Sequence, residues 1–198
     1  MTAVTITRLS LAEIEAHLDA IRSTLTKEEC QKAERFLRRE DRLLSYGGAY
    51  LIRRVIGGNA VIRLGAFGKP YADGMYFNIS HSGDLVAIAF CSTQEVGLDL
   101  ERKRPGFDEL IPYCLTDAER DSGADFLTLF CAKESLGKAE GEGLTDMPGR
   151  IPALPTEGAV RYRNAVYYRH MLPDESYVIS ICVRGSDFVL KEEPIDVF

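Results

Sequence analysis

The sequence predicts a mixed α/β fold in which helices and strands recur in both halves of the chain. Residues 27–56 carry a helical pattern, three short β-like runs follow between residues 75 and 101, and a second helical pattern over residues 125–140 precedes further strand-like runs. No repeat at the residue level and no long linker separates independent domains. We therefore expect one compact protein.

The first part of the chain predicts a strand followed by two helical regions. Residues 4–9 alternate as a strand does, and Ser10 is a good N-cap for a helix with Leu11, Ile14 and Leu18 on one face. Small and apolar residues at helical spacing then continue in the second region, at Leu44, Gly48, Leu51 and Val55. Gly57-Gly58-Asn59 predicts its end.

The second helical region is locally basic within a chain of net charge −6. Its cations are Lys27, Lys32, Arg35, Arg38, Arg39, Arg42, Arg53 and Arg54. A solvated helix face is the ordinary interpretation of such a run. A surface that meets phosphate groups is the functional one.

Gly68-Lys69-Pro70 predicts a turn, and the three β-like runs after it are Met75–Ser80, Leu85–Cys91 and Glu95–Glu101. Ser82-Gly83-Asp84 is a natural hairpin link between the first two runs. The middle run is apolar on both faces, which favours a central strand covered by helices on at least one side.

The second half repeats the order of helix and strands. Thr116-Asp117-Ala118-Glu119 resembles a capping box, and Asp125–Glu140 predicts a longer helix. After a proline-containing stretch, Ala159–Arg169 and Tyr177–Val183 predict strands of a terminal hairpin or meander.

Composition bounds the function. The 198 residues are 45% hydrophobic and 9% aromatic, enough for a real core, and the net charge of −6 argues against a protein that coats nucleic acid. We find no secretory signal and no window of membrane-spanning length, so we expect a cytoplasmic protein that does not enter a membrane. Five widely spaced cysteines without a Cys-x-x-Cys pair are typical of reduced core residues.

Two charged segments in apolar surroundings are the main candidates for chemistry. In Gly97-Leu98-Asp99-Leu100-Glu101, alternation puts Asp99 and Glu101 on one strand face, about 7 Å apart, where both carboxylates can approach one hard cation. An amphipathic edge strand with its polar face in water has the same pattern.

The second segment lies in the predicted helix 125–140. Phe130, Glu134 and Lys138 share one flank, and an ordinary surface ion pair between Glu134 and Lys138 would look the same. However, Lys133 and Glu134 interrupt an apolar stretch, and charges that border a core need partners.

Ser80 and His81 end an apolar strand. Adjacent strand residues point to opposite faces, so the two cannot form a nucleophile and base pair, and the chain has no Gly-x-Ser-x-Gly elbow. They are suitable donors to a phosphate oxygen, although a single histidine is more often structural. Nucleoside triphosphatase and Rossmann motifs are absent from the sequence.

In their order and spacing, these residues resemble the 4′-phosphopantetheinyl transferases of the surfactin-synthetase-activator (Sfp-like) type. The resemblance covers about residues 27–145 and rests on the basic segment from Arg35 to Arg53 and on four ordered motifs. The motifs are Gly68-Lys69-Pro70, Asn78-Ile79-Ser80-His81-Ser82, Gly97-Leu98-Asp99-Leu100-Glu101 and the stretch from Lys133 to Leu144.

The resemblance implies transfer of the 4′-phosphopantetheine arm of coenzyme A to a serine of an apo carrier protein, with Mg²⁺ and with release of adenosine 3′,5′-bisphosphate. It implies that Asp99, Glu101 and Glu134 ligate the metal and that Lys138 stabilises charge as the bond breaks. Glu134 would accept the serine proton, directly or through a water. Mn²⁺ suits the same oxygen ligands.

The resemblance also implies contacts to coenzyme A by Lys69, Ser80 and His81 at the phosphates, and by Lys32 and Ser45 at the nucleotide end. The chain departs from the family pattern at two positions. Phe130 stands where the family usually has tryptophan, and Glu29 stands where it often has a lysine for the 3′-phosphate, for which Lys27 is the nearby substitute.

The fold implied by the resemblance is two similar α/β halves related by a pseudo-twofold, each a small, mainly antiparallel sheet packed on helices, with the coenzyme between them. We expect the halves at residues 1–100 and 101–198 in one compact monomer. Two other hypotheses stay open: a non-catalytic relative that binds coenzyme A or a carrier protein, and another metal-dependent phosphodiester enzyme.

Overall fold

A computed structural model describes residues 2–58, 60–65, 67–142 and 148–195. The first part contains β1 (Thr2–Ser10), α1 (Leu11–Ala16), α2 (Leu18–Ser23), α3 (Lys27–Glu34), α4 (Arg39–Ile56), β2 (Arg63–Leu64), β3 (Pro70–Tyr71), β4 (Tyr76–Ser82) and β5 (Leu85–Cys91). The second part contains β6 (Val96–Arg102), α5 (Ile111–Cys114), α6 (Asp117–Arg120), α7 (Phe126–Glu140), β7 (Gly158–Tyr162), β8 (Ala165–Leu172), β9 (Tyr177–Arg184) and β10 (Phe188–Glu192). Short 3₁₀ turns span Asp108–Leu110 and Pro148–Arg150.

Two four-stranded sheets organise the molecule, which confirms the predicted mixed fold. The first sheet has the order β10-β1-β5-β4 and the second β6-β9-β8-β7, and β2 pairs with β3 in a small separate ribbon. All pairings in the large sheets are antiparallel except that of β10, which runs parallel to β1. Strand β10, which joins the edge of the first sheet next to β1, was not predicted from the sequence.

The two sheets share one order of connections. In the first, β1 leads through helices to the β4–β5 hairpin, and β5 pairs back onto β1. In the second, β6 leads through helices to the β8–β9 hairpin, and β9 pairs back onto β6. This agrees with two similar halves. The division at residue 100 stays a prediction, since β6 begins before it and β10 belongs to the first sheet.

The core lies in layers. Apolar side chains of both sheets pack against each other in one cluster, while α1 to α4 cover the other face of the first sheet. Strand β5 contributes Ala87 to the first layer and Ile88 to the second, so it is buried on both faces as predicted. Helix α7 packs on the outer face of the second sheet.

The predicted helix caps are present. Ser10 and Thr116 each form a capping box with a glutamate three residues later, and Asp125 caps α7. Gly57 and Gly141 end α4 and α7 at positive φ. Asn59 of the predicted end of α4, and Gly143 and Leu144 of the motif that begins at Lys133, lie outside the described residues.

Two further predictions concern the helices and the cysteines. Among the described residues no helix is both long and apolar enough to cross a membrane. All five cysteines are free thiols, and four of them are buried.

Candidate active site

A polar seam joins the edges of the two sheets, where β4 faces β6. Every second side chain of β4 takes part: the side chain of Asn78 accepts a bond from the backbone of β6. The Ser80 hydroxyl donates to Asp99 Oδ1 at 3.1 Å, and the Ser82 hydroxyl donates to Glu101 Oε2 at 2.7 Å. The seam therefore fixes both carboxylates that alternation placed on one face.

Helix α7 lies unusually close to β6 at Gly97. A Cβ at this position would overlap the Ser135 carbonyl oxygen and the Ala139 backbone nitrogen. On the same side of the helix, the Ser135 and Ser180 hydroxyls share a buried hydrogen bond of 2.8 Å. Only glycine permits this approach. The approach sets the distance between α7 and the part of β6 that carries Asp99 and Glu101.

A cleft of about 270 Å³ opens where β4, β6 and α7 meet. Its lining residues are Ile79, Ser80, His81, Asp99, Glu101, Phe130, Glu134 and Lys138. The three acids and the lysine of the two charged segments thus share one cavity. Within it, the Lys138 ammonium donates to Asp99 Oδ1 at 2.6 Å and to Ser80 Oγ at 3.1 Å.

The carboxylate of Asp99 is buried, with 3% of the residue exposed. Its Oδ1 accepts from Ser80 and Lys138, whereas its Oδ2 has no hydrogen-bond partner among the described residues. A buried carboxylate oxygen without a partner is costly unless a cation or donor completes the site. A cation or donor that binds in the cleft next to Asp99 would lower this cost.

The chemistry of the acids suits Mg²⁺, which binds one or two carboxylates and completes its shell with phosphate oxygens and water. Asp99, Glu101 and Glu134 offer such oxygens around one cleft. Within the described ranges, however, no three of the histidines, cysteines and acids are close enough to form a metal site by themselves. A metal here would depend on the phosphates of a bound substrate.

Burial shifts two acids of the cleft, Glu134 and Glu101, toward their protonated forms. It raises the pKa of Glu134 to about 7, against the opposing effect of Lys138 and with further raising by Asp99 and Glu101. It also raises the pKa of Glu101, although the Ser82 hydrogen bond acts against it. A carboxyl group with a pKa of about 7 can be charged or neutral near neutral pH.

Ser80 and His81 point to opposite faces, as the alternation predicted. Ser80 is buried against Asp99, whereas His81 is exposed at the rim of the cleft. Desolvation by the surrounding protein lowers the pKa of His81, and the positive charge of Lys138 lowers it further, while Asp41 at the start of α4 raises it. The first turn of α4 therefore adjoins this rim.

Three residues predicted to contact the coenzyme are not among those lining the cleft. Lys69 donates to the Glu95 carboxylate at 2.6 Å and to the carbonyls of Val96 and Ala139. Lys32 is exposed on α3, and Ser45 is half-buried on α4. Their roles stay predictions.

Glu29, the departure from the family pattern, has two structural partners. It completes the capping box of Thr26, and its Oε1 accepts from Arg53 Nε at 2.9 Å. Arg53 also donates to the carbonyls of Gly58 and Ala60, in the segment after α4. This acid therefore fastens α3 to α4, and the neighbouring Lys27 is exposed.

Phe130, the other departure, keeps an aromatic wall at the cleft. Its ring stacks on that of Phe126 with centroids 5.7 Å apart, and Phe126 contacts Phe107 at the same separation.

Lys133 of the motif does not face the cleft. It is completely buried on another side of α7, where it pairs with Glu119. This pair was not predicted from the sequence, although the capping box at Thr116 marked Glu119.

Comparisons with known proteins point to one family. A model of the 4′-phosphopantetheinyl transferase superfamily matches residues 95–182, which include β6 and α7. The chain is 28% identical to the 4′-phosphopantetheinyl transferase HetI of Nostoc sp., over 90% of this chain and 86% of that protein. It is 29% identical to the 4′-phosphopantetheinyl transferase Sfp of Bacillus subtilis, over 84% and 85%.

The 4′-phosphopantetheinyl transferase ffp of Bacillus subtilis is 30% identical, over 86% of this chain and 87% of its own length. The family match contains Asp99, Glu101, Glu134 and Lys138 in one segment. Identity of this extent across nearly the whole of both chains, together with that cleft, makes the chain a member of the 4′-phosphopantetheinyl transferase family of enzymes.

Proposed function

We propose that this transferase takes the 4′-phosphopantetheine group from coenzyme A and attaches it to a serine of an apo carrier protein, with Mg²⁺. The observation that carries the proposal is the cleft in which Asp99, Glu101, Glu134 and Lys138 meet, with the buried Oδ2 of Asp99 lacking a hydrogen-bond partner in the described part of the chain. Such a cleft is suited to a diphosphate and a divalent cation.

The chemical step exchanges the phosphoanhydride bond of the diphosphate for a new phosphoester bond to serine. The serine oxygen forms a bond to the phosphorus next to the pantetheine arm, and the bond from that phosphorus to the bridging oxygen of the diphosphate breaks. Adenosine 3′,5′-bisphosphate leaves with the bridging oxygen. The serine proton passes to Glu134, directly or through a water, because a pKa of about 7 leaves much of this carboxylate able to accept it.

Lys138 and the seam residues provide positive charge and orientation. The Lys138 ammonium lies between Ser80 and Asp99, where it neutralises charge on the leaving group. Ser80 and His81 donate to the phosphates. Asp99, Glu101 and Glu134 would hold Mg²⁺, which when bound would neutralise the diphosphate.

In this proposal, the first half of the protein supplies the contacts to the nucleotide end of coenzyme A. Lys32 of α3, Ser45 of α4 and Lys69 are the predicted contacts, and the electrostatic effect of Asp41 on His81 supports a rim next to α4. We propose a monomer, because a single copy of the chain already brings the three acids and Lys138 together in one cleft. Free cysteines suit the reducing cytoplasm.

The direct test is mass spectrometry of a panel of apo carrier proteins incubated with the enzyme and coenzyme A, with Mg²⁺, with Mn²⁺ or with a chelator. We expect a carrier that gains the phosphopantetheine mass only when a divalent metal is present. A carrier with its acceptor serine replaced by alanine is the control. No mass gain across the panel would refute the proposal, and binding of coenzyme A without transfer would favour a non-catalytic relative.

A further inference from the structure

The side of α7 away from the cleft carries a buried charged residue of its own. Lys133 has no exposed surface, and it lies next to Glu134 in the chain. Consecutive residues are about 100° apart around a helix, so the rotation that buries one side chain also aims the other. The contacts of Lys133 therefore bear on the direction of Glu134.

Among the described residues, the Lys133 ammonium has partners in two different parts of the fold. It lies 2.8 Å from Glu119 Oε2 and donates to the Ile151 carbonyl at 2.8 Å. Glu119, in the capping box of α6, also accepts from the backbone nitrogens of Thr116 at 2.9 Å and Ala153 at 2.8 Å. Lysine and glutamate thus connect α7 and α6 with the segment 151–155.

Arg169 of β8 fastens that segment from the other side. It is also without exposed surface, and its guanidinium donates to the carbonyls of Pro152, Ala153 and Pro155 at 2.6–3.0 Å. We call Glu119, Lys133 and Arg169 the loop clamp. Together they join α6, α7 and β8 through one short segment.

The same segment packs along α7. Ile151 contacts the cluster that includes Leu136 and Ala139, and Ala153 contacts the cluster that includes Leu129 and Ala132. Side chains and backbone of residues 151–155 therefore brace the helix on both sides of Lys133.

Stability alone is a weak reason for this arrangement. Buried charges lose their hydration, and apolar residues of similar volume often stabilise a protein as well or better. What hydrogen-bonded buried charges add is one fixed geometry, because a shift would break the bonds that hold them. A helix that carries catalytic groups has use for such a constraint, since small displacements lower rates strongly.

We propose that the loop clamp is a positioning device for the active site, in which Lys133 fixes the rotation of α7 so that Glu134 and Lys138 face Asp99. The inference rests on the proposed roles of these residues in transfer. Lys133 itself does not line the cleft.

The test uses steady-state kinetics of the full-length enzyme with coenzyme A and an apo carrier. Lys133→Met leaves Glu119 buried without the Lys133 cation, whereas Lys133→Met combined with Glu119→Gln removes both charges of the pair. We expect the double variant to regain most of the melting temperature that the single variant loses. We also expect its kcat to stay about tenfold or more below wild type, with the KM for coenzyme A within about twofold.

Arg53→Met is the matched control, because it removes a partly buried cation that also binds a carboxylate and loop carbonyls, away from α7. It should lower the melting temperature with kcat within about twofold of wild type. Wild-type kcat in the double variant would overturn the inference and leave the clamp a purely structural role.

A crystal structure of the double variant separates this inference from the proposed function. We expect α7 to be rotated or shifted against β6. An unmoved helix would overturn the inference even if the wild-type enzyme transferred nothing to any carrier, an outcome that counts against the proposed function alone.

Discussion

Each half contains the same device: an ion pair between a capping-box glutamate and a cation of a long helix, which also binds the loop after that helix. The two devices serve different purposes. In the first half, Glu29 of the Thr26 capping box pairs with Arg53 of α4, which also binds carbonyls after that helix. In the second half, Glu119 of the Thr116 capping box pairs with Lys133 of α7, which also binds a carbonyl after that helix. A glutamate, a helix cation and the following loop recur in the same order.

The difference lies in burial and in what is next to the cation. The side chains of Arg53 and Glu29 are 13% and 17% exposed, against 0% and 7% for Lys133 and Glu119. Arg53 lies in the last turn of α4, whereas Lys133 lies in the middle of α7 beside Glu134. The first ion pair closes a helix end, whereas the second is buried behind the residues that we propose carry the chemistry.

The largest effect should come from Glu134, the acid next to Lys133 in the second device. Glu134→Gln removes the group whose pKa burial raises to about 7, and loss of a general base lowers kcat by about 10²–10⁴-fold. Carrier modification followed by mass spectrometry measures it. The fold should persist, because a neutral amide suits a buried site that disfavours charge.

Glu29→Gln is the matched change in the first half. It weakens the ion pair to Arg53 while keeping a side chain that can complete the Thr26 capping box, so transfer should stay within about threefold of wild type. If Glu134→Gln turned over nearly as fast as wild type, the assignment of the chemistry to the second half would be wrong.

The second effect concerns how closely each helix approaches its sheet. Gly97→Ala pushes a Cβ into backbone atoms of Ser135 and Ala139, which cannot rotate away, so we expect a loss of about 3 kcal/mol and a displaced α7. Gly47→Ala in α4 meets only the flexible end of Ile14 and the side chain of Val86.

The gain in helix propensity at Gly47 offsets that smaller clash, so its unfolding free energy should change by less than about 1 kcal/mol. Chemical denaturation of both variants measures the contrast. Equal losses would mean that the two halves pack their helices alike.

Much of this architecture was predictable because its signals are local. Capping residues at Ser10 and Thr116 marked helix starts, and alternation put Asp99 and Glu101 on one face, where the cleft has them. Non-local pairings were not predictable. Nothing near residues 188–192 shows that they bind β1, since a short strand looks the same wherever its partner lies.

The same limit applied to the charges. Interruption of an apolar stretch indicated that Lys133 needed a partner, but its partner Glu119 lies on another element. Lys69 likewise has its carboxylate partner at Glu95, 26 residues later. A sequence shows that a charge is embedded among apolar residues, whereas only the fold shows which opposite charge reaches it.

The third effect is the contribution of the buried Glu119–Lys133 pair to the stability of the fold, and how it changes at acid pH. Burial raises the pKa of Glu119, but bonds from Lys133 and from the backbones of Thr116 and Ala153 lower it below the ordinary 4.5. A group with a lowered folded-state pKa stabilises the fold above its unfolded pKa and loses that contribution as the pH falls through the folded value.

We therefore expect Glu119→Gln to cost about 2 kcal/mol at pH 7. The difference from wild type should shrink below pH 4.5, where wild type loses the carboxylate contribution. Urea unfolding across this range measures it. A difference that stays constant through the acid range would show that the carboxylate charge is not what stabilises the second device.

The smallest effect on activity should come from a conservative change in the aromatic wall, which belongs to the second half. Phe130 stacks on Phe126 and lines the cavity beside the acids, so Phe130→Trp restores the usual family residue without removing the stacking. The larger ring has open cleft to enter, and no group that reacts is replaced. We expect kcat and the KM for coenzyme A to change by less than about threefold. Phe130→Ala is the informative partner, because it deletes the stack and should lower stability by about 2 kcal/mol or more at this half-buried position. A tryptophan variant that lost most activity would instead show that the phenylalanine shapes the space the substrate occupies.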